Sequence, residues 1–480
     1  MQIVRSLALA ATTIAAGAAT LSAQSTTRGG SDTASVAEAR ALLKALVETN
    51  TTREHGSAAP AARLLADRFL QAGWPAADVE IAGPSPARQN LVVRWRAQSP
   101  KAKPVLFMSH IDVVEARRED WDSDPFVLRE KDGYLYGRGV LDDKAAVATW
   151  TTGLISLRRA GWRPSRDIVL LLTSDEEGGD ENGVEWLLRN RRALFDVDFV
   201  INADAAGPEL HDGKVTLFAV DVAEKHPVTI DFTVTNPGGH SSLPRTDNAI
   251  YALAHALVRV EGYRFPAQIS ELQRAQLTAA IGSAPPAAAE ALRAILRDPN
   301  DSAASDALVR VPHLNAMLRT TCVATELSGG HAINALPQRA MATVNCRVLP
   351  GVAPASVVAQ LLSVIADTTV HAVARPPIKP AAAASPMRDD VLKLLTRAVA
   401  TSWGASVRVQ PTMSRGATDG SFTRAAGIPT YTLWHVPLDP GDMRAHGRDE
   451  RILAKSFDES VGFARNLIRE AAGTTPRDAP

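Results

Sequence analysis

Three short apolar runs, at 104–110, 167–173 and 199–203, alternate with helix-length amphipathic stretches at 144–159 and 182–192, and this alternation limits the fold more than any other feature. A short apolar run bounded by polar turns reads as a strand buried on both faces. Strands alternating with helices argue for an α/β domain on a mostly parallel sheet, with ligands at the carboxyl ends of the strands. The chain places its reactive residues at those ends. The first run closes on Ser109-His110-Ile111-Asp112, the second opens into Ser174-Asp175-Glu176-Glu177-Gly178-Gly179, and the third ends at Asp204. Asp142 and Asp143 stand in a turn just before the helix at 144–159, behind Gly137-Arg138-Gly139. Residues two apart on a strand point the same way, so His110 and Asp112 project together. Taken singly, a His-x-Asp pair or a Glu176-Glu177 turn reads as solvated surface; their shared placement reads as a site.

The pattern changes near Val222. Residues 228–235 alternate apolar and polar, as a half-exposed antiparallel strand does. A glycine-serine loop carrying His240 follows, then a helix at 248–260, an Ala-rich helical insertion at 266–312, strands at 320–327 and 339–348, and a helix at 354–367. Beyond a Pro/Ala-rich connector at 374–386 come a helix at 389–403, a strand at 429–434 and a last helix at 452–472. The parse is an α/β domain in two pieces, 36–221 and 383–475, interrupted by an α+β lid at 222–382. The two cysteines, Cys322 and Cys346, lie equidistant from residue 334. In an antiparallel hairpin of the flanking strands they face each other, either bridged or as two buried thiols.

Charge and the N-terminus bound the setting. Lys+Arg and Asp+Glu balance at 52 each, so no basic excess points to nucleic acid. Residues 1–23 carry Arg5, an apolar Ala-rich core and Leu21-Ser22-Ala23, which predicts an export signal rather than a membrane span. An exported protein lies in the periplasm or outside the cell, where disulfides persist.

The stretches SHIDVV, GRGVLDDKAAVA, SDEEGG, INAD, NPGGHSS, the region from Asn334 to Arg347, RGATDG and the loop of His446 follow in one order along the chain. In that order they resemble the M20 family of zinc peptidases and amidohydrolases, and most closely its carboxypeptidase S and secreted N-acyl-amino-acid hydrolase branch. The resemblance implies a zinc-exopeptidase catalytic domain with an inserted lid and dimerisation domain, and two zinc ions per chain. His110 and His446 each bind one ion, Asp142 bridges both, and Glu177 and Asp204 complete the two shells. Asp112 orients His110, and Glu176 is the general base. A cis peptide at Asp142-Asp143 is implied as well. His240 resembles the lid histidine that polarises the substrate carbonyl, often from a partner subunit in a homodimer. Asn334 and Arg347 match positions that hold the substrate's amide and carboxylate, and Gly416 and Asp419 lie in a substrate-facing loop. The remaining histidines, His313 and His435 among them, read as surface or packing residues. The expected substrate is a peptide or N-acyl amino acid cut beside its free carboxylate. An aminoacylase is the near alternative; an aminopeptidase and an inactive binding protein are the remoter ones.

Overall fold

The computed structural model describes residues 32–473, so the predicted leader at 1–23 lies outside the described residues. Its centre is a nine-stranded sheet in which Ile168–Thr173, Val105–His110, Phe199–Asn202 and Thr430–Thr432 lie side by side in that order and all parallel. Four parallel strands bring four carboxyl ends to one edge, and the segments after them carry Glu176, Asp112, Asp204 and His446.

The reason these strands are apolar throughout is visible in their packing. Val105 and Phe107 join the core on one face, with helices Thr33–Val47, Lys144–Arg159, Asp389–Trp403 and Ala454–Ala472. Leu106 and Met108 join the core on the other face, with Val184, Leu187 and Ile428. Ile168, Leu170 and Leu172 divide from Val169 and Leu171 in the same way. A strand whose odd and even residues are both buried has no polar side to show, which is why periodicity alone left it as an unbroken run. At the centre of the first face, Trp150 is fully buried, its ring 4.8 Å from that of Phe107 and 4.7 Å from that of His435.

Among the strands that went unseen in the sequence, three are five residues long or more. Lys214–Glu224 and Arg408–Ser414 pair in parallel at the far side of the main sheet, and the first runs past the change of character at Val222. Both mix polar residues and, in the second, Pro411 among the apolar ones, which is tolerable toward the sheet's edge but hides the period. Val370–Ala374 is the third, pairing with His226–Thr235 just ahead of the connector.

A second sheet is antiparallel, with Thr321–Gly329, Arg339–Val348, His226–Thr235 and Val370–Ala374 in that order. Its inward residues, Val228, Ile230, Phe232 and Val234 among them, are buried against helices Ala249–Gly262 and Pro354–Ile365. Cys322 stands opposite Cys346 in the register, and the two are joined in a disulfide. The Ala-rich insertion forms four helices, Glu271–Ala280, Pro286–Arg297, Ser302–Val309 and Pro312–Leu318, with a small core of its own. Its first helix leans on the main domain, since Leu272 is buried in the principal core.

Replacing Trp150 with alanine removes the largest buried ring between sheet and helices, and the variant is expected to lose about 3–5 kcal/mol. Urea denaturation followed by fluorescence and circular dichroism measures it; a loss under about 1 kcal/mol would show that the interior re-packs around the gap.

Candidate metal centre

Asp142 holds the middle of the site. Its Oδ1 lies 2.9 Å from His110 Nε2 and its Oδ2 lies 3.2 Å from His446 Nε2. Each oxygen thus faces a different imidazole, as a carboxylate shared by two cations does. His446 Nε2 is also 3.0 Å from Glu177 Oε2. His110, Asp142 and Glu177 form one cluster whose donor atoms all lie within 4.8 Å of one another, and His110, Glu176 and Asp204 form a second. Ligands about 2.1 Å from a tetrahedral zinc ion stand about 3.4 Å apart, close to the separations around Asp142. Imidazole and carboxylate donors with no thiolate suit zinc and its neighbours, so the residues present fit a pair of such ions.

The charge of the cluster points the same way. Burial opposes the His110 imidazolium, yet Asp142, backed by Asp204 and Asp112, lifts its pKa well above the usual histidine range. Hydrogen bonds to Asp142 and Glu177 raise His446 to about 10. Burial and the neighbouring Asp142 push Glu177 up to about 7, and burial and Glu176 push Asp204 far above the usual carboxylate range. Carboxylates crowded in a buried place retain protons for want of positive charge, and cations would replace those protons.

Local structure sets each ligand. His110 is the last residue of its strand, and its Nδ1–H donates to the main-chain oxygen of Asp112 at 3.1 Å. The Asp112 carboxylate, expected to orient the ring directly, stands 3.8 Å from Nδ1 and instead accepts the Glu177 N–H at 3.1 Å. The acid therefore fixes the Glu loop, and its backbone fixes the imidazole; either partner sets the ring's tautomer. The Glu loop is further tied down by Asp175, which faces Arg53 at 3.3 Å and Arg88 at 3.4 Å. A side chain at Gly179 would place its Cβ 1.3 Å from Asp175 Oδ2, so only glycine closes this turn. The Asp142-Asp143 peptide is cis, as the resemblance implied.

Two residues that the sequence did not single out are central here. Glu450, fully buried, accepts the N–H groups of Leu141 at 2.7 Å and of Gly139 and Asp142 at 3.1 Å. Arg138 donates to the same carboxylate at 2.6 Å and to the Gly447 carbonyl at 3.1 Å. This pair locks the Asp142 turn to the His446 loop. Lys379, from the connector, places its ammonium 2.7 Å from Glu176 Oε1. A nearness of four residues to His446 was the only sign of Glu450, and nothing in a Pro/Ala-rich connector marks Lys379.

Asp419 is buried and accepts from Thr173 Oγ1 and Asn182 Nδ2, each at 2.7 Å, so it fastens its loop to the Glu loop. Gly416 lines a cavity of about 810 Å³ that opens beside Asp142 and Asp204. His313, read as a packing residue, also lines that cavity, whereas His435 is fully buried as expected. His240 and Asn334 sit together on a two-stranded ribbon in which His240 pairs with Ala335, and the Ser241 N–H donates to the Asn334 carbonyl at 3.0 Å. Both are exposed, as is Arg347 on the second sheet, and none of the three lines the cavity.

Comparison with known proteins agrees with this geometry. The profile of Peptidase family M20/M25/M40 matches residues 106–470. The chain is 30% identical over 387 residues to the N-fatty-acyl-amino acid synthase/hydrolase PM20D1 of Homo sapiens, covering 78% of this chain and 76% of that protein. It is 28% identical over 390 residues to the probable carboxypeptidase S-like 2 of Dictyostelium discoideum, covering 80% and 74%. Among solved structures, the M20 family metallo-carboxypeptidase Sso-CP2 from Sulfolobus solfataricus superposes with a TM-score of 0.66 at 17% identity, over 90% of this chain and 98% of that one. At that identity the likeness is one of fold.

Glu450→Gln exchanges a four-fold acceptor for an amide that turns N–H groups toward N–H groups. The variant is expected to bind zinc about 10- to 100-fold more weakly while remaining folded. Titration against a chromogenic chelator reads this; unchanged affinity would remove Glu450 from the support of the centre.

Proposed function

The chain belongs to Peptidase family M20/M25/M40, and from that premise we propose an exported hydrolase that holds two zinc ions and cleaves a peptide or N-acyl amide bond beside a free carboxylate. The observation that carries this reading is Asp142, with one oxygen toward each of His110 and His446. Asp142, His446 and Glu177 would hold one ion, and Asp142, His110 and Asp204 the other. Such ions supply Lewis acidity and make hydroxide available at neutral pH.

The chain's own residues do the rest. Glu176 is buried beside Glu177 and keeps one oxygen on Lys379, which leaves Oε2 to accept a proton from attacking water and return it to the departing nitrogen. His240 and Asn334 from the two-stranded ribbon, and Arg347 from the second sheet, would reach the substrate within the chain or from a partner copy. The exposed edge strand Thr321–Gly329, with Val323 and Leu327 open to solvent, supports pairing with a second copy. The Cys322–Cys346 disulfide supports export, because such bonds persist in oxidising compartments. Among the described residues no helix is long and apolar enough to cross a membrane.

The cavity favours the aminoacylase-like form of this reading. Its walls include Leu141, Met317, Met413, Trp434, Leu438 and Met443, and its volume of about 810 Å³ exceeds what a dipeptide side chain fills. An apolar acyl group is the natural occupant, in keeping with the name of the human relative.

Purified protein should release free amino acid from N-acyl amino acids with long apolar acyl groups faster than from blocked dipeptides, and chelation should abolish both reactions until zinc is restored. Glu176→Gln should keep its metal and lose at least about a hundredfold in turnover. Activity that survives exhaustive chelation, or a variant within a few-fold of wild type, would falsify the assignment.

A further inference from the structure

We infer that Lys379 is the specificity-determining residue that receives the free carboxylate of the substrate, acting from the connector between the two sheets. The assignment rests on the reaction proposed above and adds a residue to it.

The connector is fixed on both sides of Lys379. Arg375 donates its N–H to Thr229 of the second sheet at 2.7 Å, and the Ser385 N–H donates to Val222 of the main sheet at 2.7 Å. Between these anchors the chain dips toward the metal centre, and the Lys379 ammonium lies 2.7 Å from Glu176 Oε1 and 3.4 Å from the Ala417 carbonyl. Ala417 follows Gly416, which lines the cavity. An ammonium has three donors; two are taken, and the third has no partner among the described residues.

The chemistry of the substrate places its carboxylate there. The base that returns a proton to the departing nitrogen must lie within hydrogen-bond reach of that nitrogen, about 3 Å. The carboxylate of the released amino acid is borne by the carbon attached to the same nitrogen, so it lies within a few ångströms of Glu176 as well. A cation already resting on Glu176 is therefore in reach of the carboxylate without a change of fold. The need for it is electrostatic. The two ions would offset Asp142, Glu177 and Asp204; Glu176 and Asp419 are not among their ligands, and Lys379 is the positive charge set against both where an anionic substrate must come. Burial works against the Lys379 ammonium, but Glu176, Asp419 and Asp204 outweigh it and hold the charge in place. Arg347, His240 and Asn334 are exposed and Arg415 lines the cavity beside Gly416, but Lys379 is the cation in contact with the base.

The test compares an N-acyl amino acid with its carboxamide, which has the same scissile bond and no charge. Wild-type protein should prefer the acid. Lys379→Met should lower kcat/KM for the acid by about 10- to 100-fold, chiefly through KM, as expected for the loss of a charged hydrogen bond. The carboxamide loses only what the altered setting of Glu176 costs, so the acid-to-carboxamide ratio should fall by about 10-fold or more, and Lys379→Arg should restore most of it. An equal loss on both substrates, carried by kcat, would overturn the inference by showing that Lys379 serves only Glu176. No loss on either would overturn it too. Should Lys379→Met fail to fold or to retain zinc, the same acid-to-carboxamide ratio is read on Lys379→Gln and Lys379→Arg, and a ratio unchanged in Lys379→Gln counts against the inference. A wild-type protein that cleaves neither compound would overturn the reaction itself.

Discussion

One buried carboxylate decides whether this centre exists. Glu450 gathers the N–H groups of Gly139, Leu141 and Asp142 and the guanidinium of Arg138. Asp142 precedes a long buried helix, and His446 lies on a loop more than three hundred residues later. Neither position alone brings an aspartate to within hydrogen-bond distance of the histidine. The carboxylate does so by offering acceptors to one loop from the other, in a place where no water competes. Burying it unpaired would be costly, and the close Arg138 partner together with three backbone donors offsets that cost.

A second buried network holds the opposite wall. Glu224 accepts from Thr418 at 2.7 Å and from Thr432 at 3.0 Å, and pairs with Arg424 at 2.7 Å. Burial pushes the Glu224 carboxyl up, but the Arg424 charge and these hydrogen bonds bring it below its usual range, so it stays ionised. Thr418 stands two residues from Gly416 and next to Asp419, so this network orients the loop that brings Gly416 to the cavity. The candidate metal ligands, the proposed base and the cavity floor are thus each backed by a satisfied buried charge, and pre-organisation of this kind is what a hydrolytic centre requires.

How much of this was legible in the sequence follows from where each signal lies. The parallel strands were legible because burial on both faces leaves unbroken apolar runs, and Val105–His110 shows those faces divided between two cores. His110, Asp142, Glu176, Glu177 and Asp204 were legible because each sits at a strand end or a helix start that the alternation already located. Lys214–Glu224 and Arg408–Ser414 were not, because strands toward a sheet's edge carry polar residues that blur the period. Glu450 and Lys379 act through contacts formed across 309 and 203 positions. No local pattern records such contacts, and a glutamate in a polar loop or a lysine between prolines looks like solvated surface until the fold closes around it. The Asp112 carboxylate shows a subtler limit: the sequence placed Asp112 beside His110, but not that its main-chain oxygen, rather than its carboxylate, meets the imidazole.

The helical insertion leaves its own mark on how such a chain can change over generations. Gln276, His313 and Met317 line the cavity from a segment that supplies no metal ligand and has a small core of its own. It is fastened to the rest by Leu272 and by Lys225, whose ammonium donates to the carbonyls of Arg319 at 2.7 Å and Ala316 at 3.0 Å. Substitutions along that wall alter what the cavity admits while the residues around Asp142 stay untouched. One wall of the cavity is therefore inherited on a stretch apart from the residues around Asp142, and a duplicated gene can change that wall without touching them.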